Sequence, residues 1–524
     1  MRNKHVLNSE RLSAFFEKMP RLFSVIFYIY IALAVILNVC VDKKINKYYV
    51  PNFLKVSNVI VIACSVIILL AIVKGIKRNE KKKEKVFSQK QWYCKTIFIF
   101  GALYIVQLII SYCIYFRTGW DVSMLVKNAE NIALYGANGV EEAYFSAYPN
   151  NLVAVYTLVF FYKIGNIFCK NNPYIVLVAV NNLIVNLSVL LSILCVYKIE
   201  KKQSIAVFAM VCGSILIVLS PWIVIPYTDT LGMIFPVGAV FAYLHCEKKY
   251  LKYFLFTLLT GIGYLYKPTI IILLIAMVII KMLECLSKVV RHTINIKMLL
   301  QIGVSMLVAI ICMSAVNQIV LKVNKTALDE NKSMVMTHYF MMGLNTDYDG
   351  VFSEEDVNYS KSFSDKESRQ EANLKVIKQR YHDMGLSGYL NLLCKKTLAN
   401  YDDGTFSWSR EGGFYQEIPE RTNILAKVLR KLYYWNLDNS QYQIFAFIEQ
   451  VVWFLVLLSI SCCILKGEQK EIENFLALTL LGVSLFLLLF ECRARYLFVF
   501  SPLFIILASM GLRKICCLYK KKSI

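Results

Sequence analysis

Charge is scarce in this sequence, and negative charge is especially scarce. Only 18% of the 524 residues are charged, against about 25% in average soluble domains. Asp and Glu number 35 whereas Lys and Arg number 58, which gives a formal net charge of +23. The 16 cysteines form no pair and no group with histidine that has zinc-site spacing. The sequence therefore supports neither a bound metal nor another cofactor.

Apolar residues are abundant and come in long runs. They make up 57% of the chain, in runs of about 17–25 residues with almost no charge, such as 22–41 and 53–73. Runs of this length span a bilayer as helices, which excludes a soluble multidomain protein, a disordered chain and a coiled coil. The basic residues lie in short loops between the runs, so no nucleic-acid partner is expected. The sequence predicts an all-α polytopic membrane protein whose partner is the lipid bilayer.

Thirteen apolar segments are long enough to consider as membrane spans, and we expect about 11–13 of them to cross. Residues 1–21 are polar and basic, and the first run is too long for a signal-peptide core, so it is expected to remain as an anchor. The segments are 22–41, 53–75, 96–116, 150–168, 174–197, 204–225, 230–245, 252–265, 268–284, 298–322, 446–465, 473–490 and 496–514.

Basic loops orient these segments, because Lys and Arg are enriched on the cytoplasmic side. The loop 74–95 and the C-terminal tail are therefore expected inside, and the long loops 117–149 and 324–445 outside. Loop 198–203 is basic and expected inside, so an odd number of crossings must lie between 149 and 198. Two segments are present there. We expect one of them not to cross, and Asn181, Asn182 and Asn186 favour the second. The basic residues used are Lys77, Arg78, Lys81, Lys82, Lys83, Lys85, Arg513, Lys514, Lys520, Lys521 and Lys522.

The expected organisation has four parts. Residues 1–95 form a helix pair with a basic cytoplasmic loop, and 96–323 form a membrane core that includes the outer loop 117–149. Residues 324–445 are long enough for a small extracytoplasmic domain. Residues 446–524 form the C-terminal helices and the tail. The abundance of Lys, Ile and Asn suggests a bacterium, so a multi-pass protein of the bacterial plasma membrane is expected.

Two carboxylates lie at predicted outer boundaries of the membrane. Asp121 follows Gly119-Trp120 directly after an apolar segment, and Asp229 ends the sequence Pro226-Tyr227-Thr228-Asp229 between two others. An acid at such a position is expensive unless it is solvated or paired, which marks it as a functional candidate. Each could instead cap a helix. Two acids from different loops on one face are what a general base and its partner need.

Polar groups near these acids add candidate binding residues. Tyr148, Asn150 and Asn151 stand at the mouth of an apolar segment, where the amides offer donors and acceptors to a polar ligand. His338 lies in a short apolar patch of the large loop, where a structural role is the alternative. Aromatic residues beside acids in 402–408 and 411–414 suit sugar stacking, although loop packing explains them nearly as well.

Basic residues within or directly beside apolar membrane segments, where charge is unexpected, indicate an anionic ligand. Lys267 precedes Pro268 within a long apolar run, and it must snorkel, pair or meet an anion. Arg493 and Arg495 stand between apolar segments on the face where positive charge is least expected. Arginine forks match phosphate oxygens, so these residues are predicted to bind phosphate, with Glu491 orienting one of them. A plain interfacial salt bridge is the alternative.

These motifs, taken in order, resemble the polytopic glycosyltransferases of the GT-C superfamily. The most similar branches are the protein O-mannosyltransferase and lipid A aminoarabinose transferase group. The resemblance rests on Asp121 with its following proline entry, on Asp229, on Lys267-Pro268 and on the run 491–496. It covers the chain from about residue 96 to the end. Val122 stands where many members have a second acid, and Lys267 lacks their Gly before Pro.

The resemblance implies transfer of a sugar from a polyprenyl-phosphate donor to a glycan, lipid or protein acceptor outside the cytoplasm, with inversion. Asp121 would be the base, and Asp229 would orient the acceptor or tune the base. Lys267, Arg493 and Arg495 would hold the donor phosphate. Two alternatives stay open. A polysaccharide polymerase or ligase would carry its key arginines in the large loop, which contains Arg369, Arg380, Arg410 and Arg421. A lipid-linked sugar flippase would show paired repeats.

Overall fold

The computed structural model describes residues 2–41, 54–81, 87–136, 141–293, 295–324, 328–435 and 440–521. Within these ranges the chain is helical, with one isolated bridge between Arg117 and Glu417 and no β-strand. This confirms the all-α class. Lys82, Lys83, Lys85 and Lys522, which helped to orient the chain, lie outside the described residues.

The described helices follow one another along the chain, with the longest connection between the helices that end at Tyr401 and begin at Ile424. They are α1 (Arg2–Cys40), α2 (Asn58–Lys81), α3 (Gln89–Ile114), α4 (Trp120–Tyr135), α5 (Glu142–Ala147), α6 (Leu152–Phe168), α7 (Tyr174–Glu200), α8 (Gln203–Gly213), α9 (Thr228–Leu231), α10 (Ile234–His245), α11 (Lys249–Tyr266), α12 (Ile271–Val290), α13 (Ile296–Val323), α14 (Met336–Gly343), α15 (Glu354–Lys361), α16 (Lys366–Tyr401), α17 (Ile424–Tyr433), α18 (Ser440–Ser461), α19 (Glu471–Leu489), α20 (Arg495–Phe498) and α21 (Ser501–Lys521).

Ten helical segments in the described ranges are long and apolar enough to cross a membrane, which confirms a polytopic membrane fold. The expected 11–13 exceeds this number because the segments 204–225, 230–245 and 252–265 form shorter or more charged helices. Pro221 and Pro226 interrupt the chain after α8, since proline removes a backbone donor. The ten are Glu10–Cys40, Asn58–Asn79, Gln89–Ile114, Pro149–Phe168, Tyr174–Glu200, Pro268–Val290, Ile296–Val323, Gln441–Ile464, Glu471–Leu489 and Ser501–Leu518.

Helices α3 and α7 run antiparallel along their whole lengths. Trp92 stacks on Tyr197 at one end, with ring centroids 5.6 Å apart. At the other end the Tyr174 hydroxyl donates to the Phe116 carbonyl over 3.4 Å. We name the end of the bundle at Phe116 and Tyr174 the site face, and the end at Trp92 and Tyr197 the opposite face. Helix α7 therefore crosses the bundle completely.

The asparagines of α7 bond to neighbouring backbone and side chains inside the bundle. Asn186 Nδ2 donates to Gln107 Oε1 over 3.0 Å, and Asn181 Nδ2 donates to the Ile223 carbonyl over 2.8 Å. Asn182 lies 2.8 Å from the Ser111 hydroxyl. Polar side chains of this kind join helices within membranes. The expectation that these residues mark a segment that fails to cross is wrong.

Helix α6 is the segment whose two ends stay on one face. Asn151, before its start, donates to the Tyr144 hydroxyl over 2.9 Å, and Asn172, beyond its end, donates to the Tyr115 hydroxyl over 2.7 Å. Midway, the hydroxyl of Thr157 bonds to that of Tyr266.

The position of Tyr266 follows from the path of α11, whose last residue it is. His245, just before α11, bonds to Tyr93 near the start of α3, over 3.3 Å. Helix α11 therefore runs from the opposite face to the site face. Tyr115 also lies at the site face, at the end of α3. Although Pro149–Phe168 is long and apolar enough to cross, the contacts at its two ends place α6 along that face, so α7 supplies the odd crossing that the charge pattern requires.

Cysteine labelling tests this path. With an impermeant maleimide, Asn150→Cys and Asn171→Cys are expected to react from the same side of intact membranes, and Lys201→Cys only after permeabilisation. The physical reason is that α6 returns to the face where it starts, whereas α7 crosses. The parent chain, with its native cysteines, provides the background. Labelling of Asn150→Cys and Asn171→Cys from opposite sides would make α6 a span.

Part of the large loop is built into the bundle. Between α16 and α17 the chain enters it, where Trp408 is fully buried and donates from Nε1 to the Tyr433 carbonyl over 2.7 Å. The Gly404 amide donates to Gln450 Oε1 over 2.6 Å. This inserted turn fixes the segment that follows it, residues 410–417, against the site face.

Candidate functional site

A buried ionic cluster lies at the site face. Asp229 Oδ1 accepts from Lys267 Nζ, and its Oδ2 accepts from Arg495 Nη1 over 3.0 Å. The Asp229 side chain is only 1% exposed. A buried carboxylate between two cations is fully compensated, so Asp229 holds Lys267 and Arg495 in fixed positions.

Glu411 extends the cluster to a second arginine. Its Oε1 lies 3.0 Å from Arg495 Nε, and its Oε2 lies 2.9 Å from Arg493 Nη1. Arg493 Nη2 also donates to the Arg410 carbonyl over 3.0 Å. Positive and negative groups thus alternate from Lys267 to Arg493, and each carboxylate contacts two cations.

Helix ends and breaks bring these residues together. Lys267 stands where α11 stops, since Pro268 cannot continue its hydrogen bonding and instead starts a short 3₁₀ turn. Asp229 lies in the first turn of the four-residue α9, and Arg495 is the first residue of α20. Three separate breaks in apolar helices therefore supply the innermost charges.

A buried lysine supports the turn that carries the arginines. Lys396 Nζ donates to the Phe490 carbonyl over 2.6 Å and to the Gly343 carbonyl over 2.9 Å. These carbonyls stand at the C-terminal ends of α19 and α14, where positive charge is favourable. Burial lowers the pKa of Lys396 to about 8.

Aromatic rings enclose the cations. The Arg495 guanidinium lies 4.5 Å from the Trp120 ring centroid and 5.4 Å from that of Tyr227. Lys267 Nζ lies 4.9 Å from the Tyr496 ring centroid. Cation–π attraction is strongest at desolvated sites such as this one. Trp120 has a φ of 44°, a strained value for a bulky residue beside the cluster.

Asp121 lies against the same rings with a hydroxyl partner. Its Oδ2 accepts from the Tyr227 hydroxyl over 3.4 Å. Burial raises the pKa of Asp121, the nearby charge of Arg495 opposes this rise, and the charge of Glu411 adds to it. A carboxyl with an elevated pKa beside fixed cations is suited to accept a proton.

Glu491 bonds to other partners than the two arginines that follow it in the sequence. It accepts from the Tyr496 hydroxyl over 2.8 Å, and its amide donates to the Tyr339 carbonyl over 3.1 Å. Burial raises the pKa of Glu491. Glu411 forms the ion pairs with Arg493 and Arg495, while the charges of both arginines also act on Glu491, whose orienting role stays a prediction.

Of the remaining predicted residues, Tyr148 and Asn151 lie beside the cluster. Tyr148 and Tyr144 have ring centroids 5.2 Å apart, and Asn151 bonds to Tyr144. Burial, then the charge of Asp121, raises the pKa of Tyr148. Asn150 is exposed and reaches Asn151 over 3.4 Å.

His338 is not part of this arrangement. Its Nδ1 lies 2.8 Å from the Ser360 hydroxyl, inside the packing of α14 with α15 and α16. Burial lowers the pKa of His338 to about 4, so the ring is neutral near pH 7. The buried hydrogen bond to Ser360 favours the structural alternative for His338, and the ligand role stays a prediction.

Sequence reasoning missed Glu411, Tyr227 and Trp120. Glu411 was noted only as part of an aromatic, glycine-containing stretch, because its partners stand more than 80 positions away. Tyr227 and Trp120 each stand near an acid that was identified. A search for aromatic residues next to unexpected acids would have found them.

Other features of the described chain do not coincide with the cluster. A cleft of about 880 Å³ between α2, α8 and α18 has an apolar lining and contains none of the site residues. Within the described ranges, no group of three or more His, Cys, Asp or Glu side chains could hold a metal ion.

The fold and the site together define a polytopic helical membrane protein with a buried ionic cluster at one face of its bundle. A family model described as "Conserved hypothetical integral membrane protein" (CHIM_prot) matches residues 15–515, and the chain belongs to this family. Family and helices agree on a multi-pass membrane location. No curated protein and no solved structure matches the chain.

Proposed function

We propose that the protein is a membrane glycosyltransferase that moves a sugar from a polyprenyl phosphate to a glycan, lipid or protein acceptor at the site face. The observation that carries the proposal is the buried set of ion pairs that joins Lys267, Arg495 and Arg493 through Asp229 and Glu411. Asp121 lies beside it and bonds to Tyr227, whose ring lies against Arg495. The resemblance to the GT-C superfamily supports the same reaction. Extracytoplasmic placement of this face follows from the basic loops at the other end.

The cations would bind the donor phosphate and stabilise the charge that grows on it. Asp229 fixes Lys267 and Arg495 before any ligand arrives, so little reorganisation is needed when the phosphate leaves. Arginine supplies paired N–H donors for phosphate oxygens. This assigns Asp229 to positioning the cations, and not to proton transfer.

Asp121 would act as the general base. The acceptor oxygen attacks the anomeric carbon while the bond from that carbon to the phosphate oxygen breaks. The bonding electrons leave with the phosphate, and the acceptor proton passes to Asp121. Because burial raises the pKa of Asp121, its carboxylate is a stronger base than that of an ordinary aspartate and accepts the hydroxyl proton more readily. Direct attack inverts the anomeric configuration.

Polar and aromatic side chains near Asp121 would contact the sugars. Trp120, Tyr144 and Tyr148 are half-buried rings near Asp121, and the buried amide of Asn151 is bonded to Tyr144 at the start of α6. Sugars stack on rings and exchange hydrogen bonds with amides. Their position beside the base supports an acceptor or donor sugar at this point.

Two of the four arginines named in the large loop, Arg369 and Arg380, favour the transferase over a polymerase or ligase. Arg369 is buried and donates to the carbonyls of Ser360, Asn331, Ser333 and Phe363 over 2.8–2.9 Å. Arg380 pairs with Asp356 over 2.6 Å. Arginines used in this way hold the loop together and are not available to a lipid-linked oligosaccharide.

The proposal is tested with purified protein in proteoliposomes supplied with radiolabelled polyprenyl monophosphate sugars and bacterial surface glycans. We expect label to move to the acceptor and free polyprenyl phosphate to form in equal amount. Protein carrying Asp121→Asn provides the inactive control. Consumption of lipid diphosphate oligosaccharides, with no use of any monophosphate donor, would instead establish a polymerase.

A further inference from the structure

The arginine pair at the site already holds an anion that belongs to the chain. The two oxygens of Glu411 contact different arginines, at 2.9 Å from Arg493 Nη1 and 3.0 Å from Arg495 Nε. The Glu411 side chain is 8% exposed. Two oxygens of a phosphate would bridge the same two guanidinium groups. Glu411 therefore stands where this arginine pair, which we call the clamp, would receive its ligand.

Arg495 and Glu411 form an ion pair without the geometry of a hydrogen bond. In the described part of the chain, Arg495 Nε and Glu411 Oε1 are both buried without a hydrogen-bond partner, although they lie within ion-pair distance. Buried polar atoms left in this way carry a desolvation cost. A phosphate has a further oxygen and a tetrahedral shape, and it can align with Nε where the carboxylate does not.

The segment that carries Glu411 leaves a strained, buried turn and reaches the surface at Gly412. Ser407 and Ser409 have φ values of 61° and 64°, which disfavour residues with a side chain. After Glu411, Gly412 and Gly413 are exposed, and the Gly413 carbonyl accepts from the Gly119 amide over 2.9 Å. Strain of this kind is held only by surrounding contacts. The segment can therefore relax once the carboxylate leaves the arginines.

We propose that Glu411 is a resident anion, which holds Arg493 and Arg495 in the empty site and is displaced by the phosphate of the donor. The identity of that phosphate as a polyprenyl phosphate rests on the proposed function. Glu411 keeps two neighbouring cations compensated until the ligand arrives. A second anion beside the carboxylate would be repelled, so the two exchange and do not bind together.

The test compares anion binding by the wild-type protein and by Glu411→Gln, which keeps the shape and removes the charge. The probes are inorganic phosphate and farnesyl phosphate, and calorimetry in detergent measures their Kd. We expect Glu411→Gln to bind both at least about ten-fold more tightly, since one competing charge-assisted contact is gone. Glu417→Gln is the matched control. It removes the same charge six residues further along the loop, where Glu417 is 67% exposed beside Arg117, and its Kd should equal that of the wild type.

Hydrogen exchange of the wild-type protein gives a second measurement that needs no variant. Peptides covering 409–413 are expected to exchange faster when inorganic phosphate is added. Unchanged exchange, or equal or weaker binding by Glu411→Gln, would show that Glu411 stays in the occupied clamp and would overturn the inference. Tighter phosphate binding without any binding of farnesyl phosphate would uphold the exchange and overturn the polyprenyl-phosphate function.

Discussion

Asp121→Asn is expected to lower sugar transfer by about 100- to 10,000-fold, the usual cost of removing a general base. The amide has nearly the same shape and can still meet the Tyr227 hydroxyl, but it cannot take a proton from the acceptor. Membrane insertion and expression should be normal. The loss should appear as a lower maximal rate in the proteoliposome assay, at saturating donor.

The matched control is Glu142→Gln, which removes an exposed carboxylate from α5 and should keep the wild-type rate. The pH dependence gives an independent check. A base works when deprotonated, so the rate should rise with pH through an apparent pKa above the ordinary aspartate value of 3.8, because burial raises the pKa of Asp121. Full activity of Asp121→Asn would exclude this residue as the base.

Arg495→Ala is expected to reduce transfer by about 100- to 1,000-fold, comparable to removing one preorganised donor from a charged transition state. Arg495 contacts both Asp229 and Glu411, so its loss also leaves two buried carboxylates with one cation fewer. Arg495→Lys keeps the charge but loses the planar fork, and it should recover only part of the activity. The deficit should appear in the use of donor and persist at saturating acceptor.

Folding must be measured in parallel, because breaking a buried ion pair typically costs about 3–5 kcal/mol. Thermal unfolding in detergent separates this effect from catalysis, and Arg495→Lys should unfold close to the wild type. Arg421→Ala is the control for loss of an arginine at the site face, since Arg421 packs on Tyr112 and bonds to Tyr115 outside the cluster. Normal donor dependence in both Arg493→Ala and Arg495→Ala would reduce the clamp to an interfacial anchor.

Three charged site residues could be found from the sequence because charge is unexpected at their positions. Asp121, Lys267 and Arg495 stand in or beside long apolar runs, where charge is costly without a partner. Glu411 gave no such signal, since an acid in a polar loop is ordinary. Nor could the sequence distinguish a role for His338 from loop packing, because its hydrogen-bond partner, Ser360, belongs to another helix.

The crossing of the membrane shows the same division. The charge pattern required an odd number of crossings between 149 and 198, but the asparagines of α7 suggested the wrong segment. Asn182 and Asn186 contact side chains of α3 within the bundle. The apolar helix α6 is the one whose two ends lie on the same face. Hydropathy measures whether a segment is stable in an apolar environment. It does not show whether that environment is lipid or another helix.

The sequence by itself determined that this protein lies in a lipid bilayer, that it is helical, and which residues supply most of its buried charges. These follow from quantities summed along the chain, such as apolar length and the cost of an isolated charge. Only the tertiary structure decided that Asp229 is held between two cations and that Glu411 occupies the arginine pair. Those facts depend on contacts between residues up to 266 positions apart, which hydropathy and local spacing do not encode.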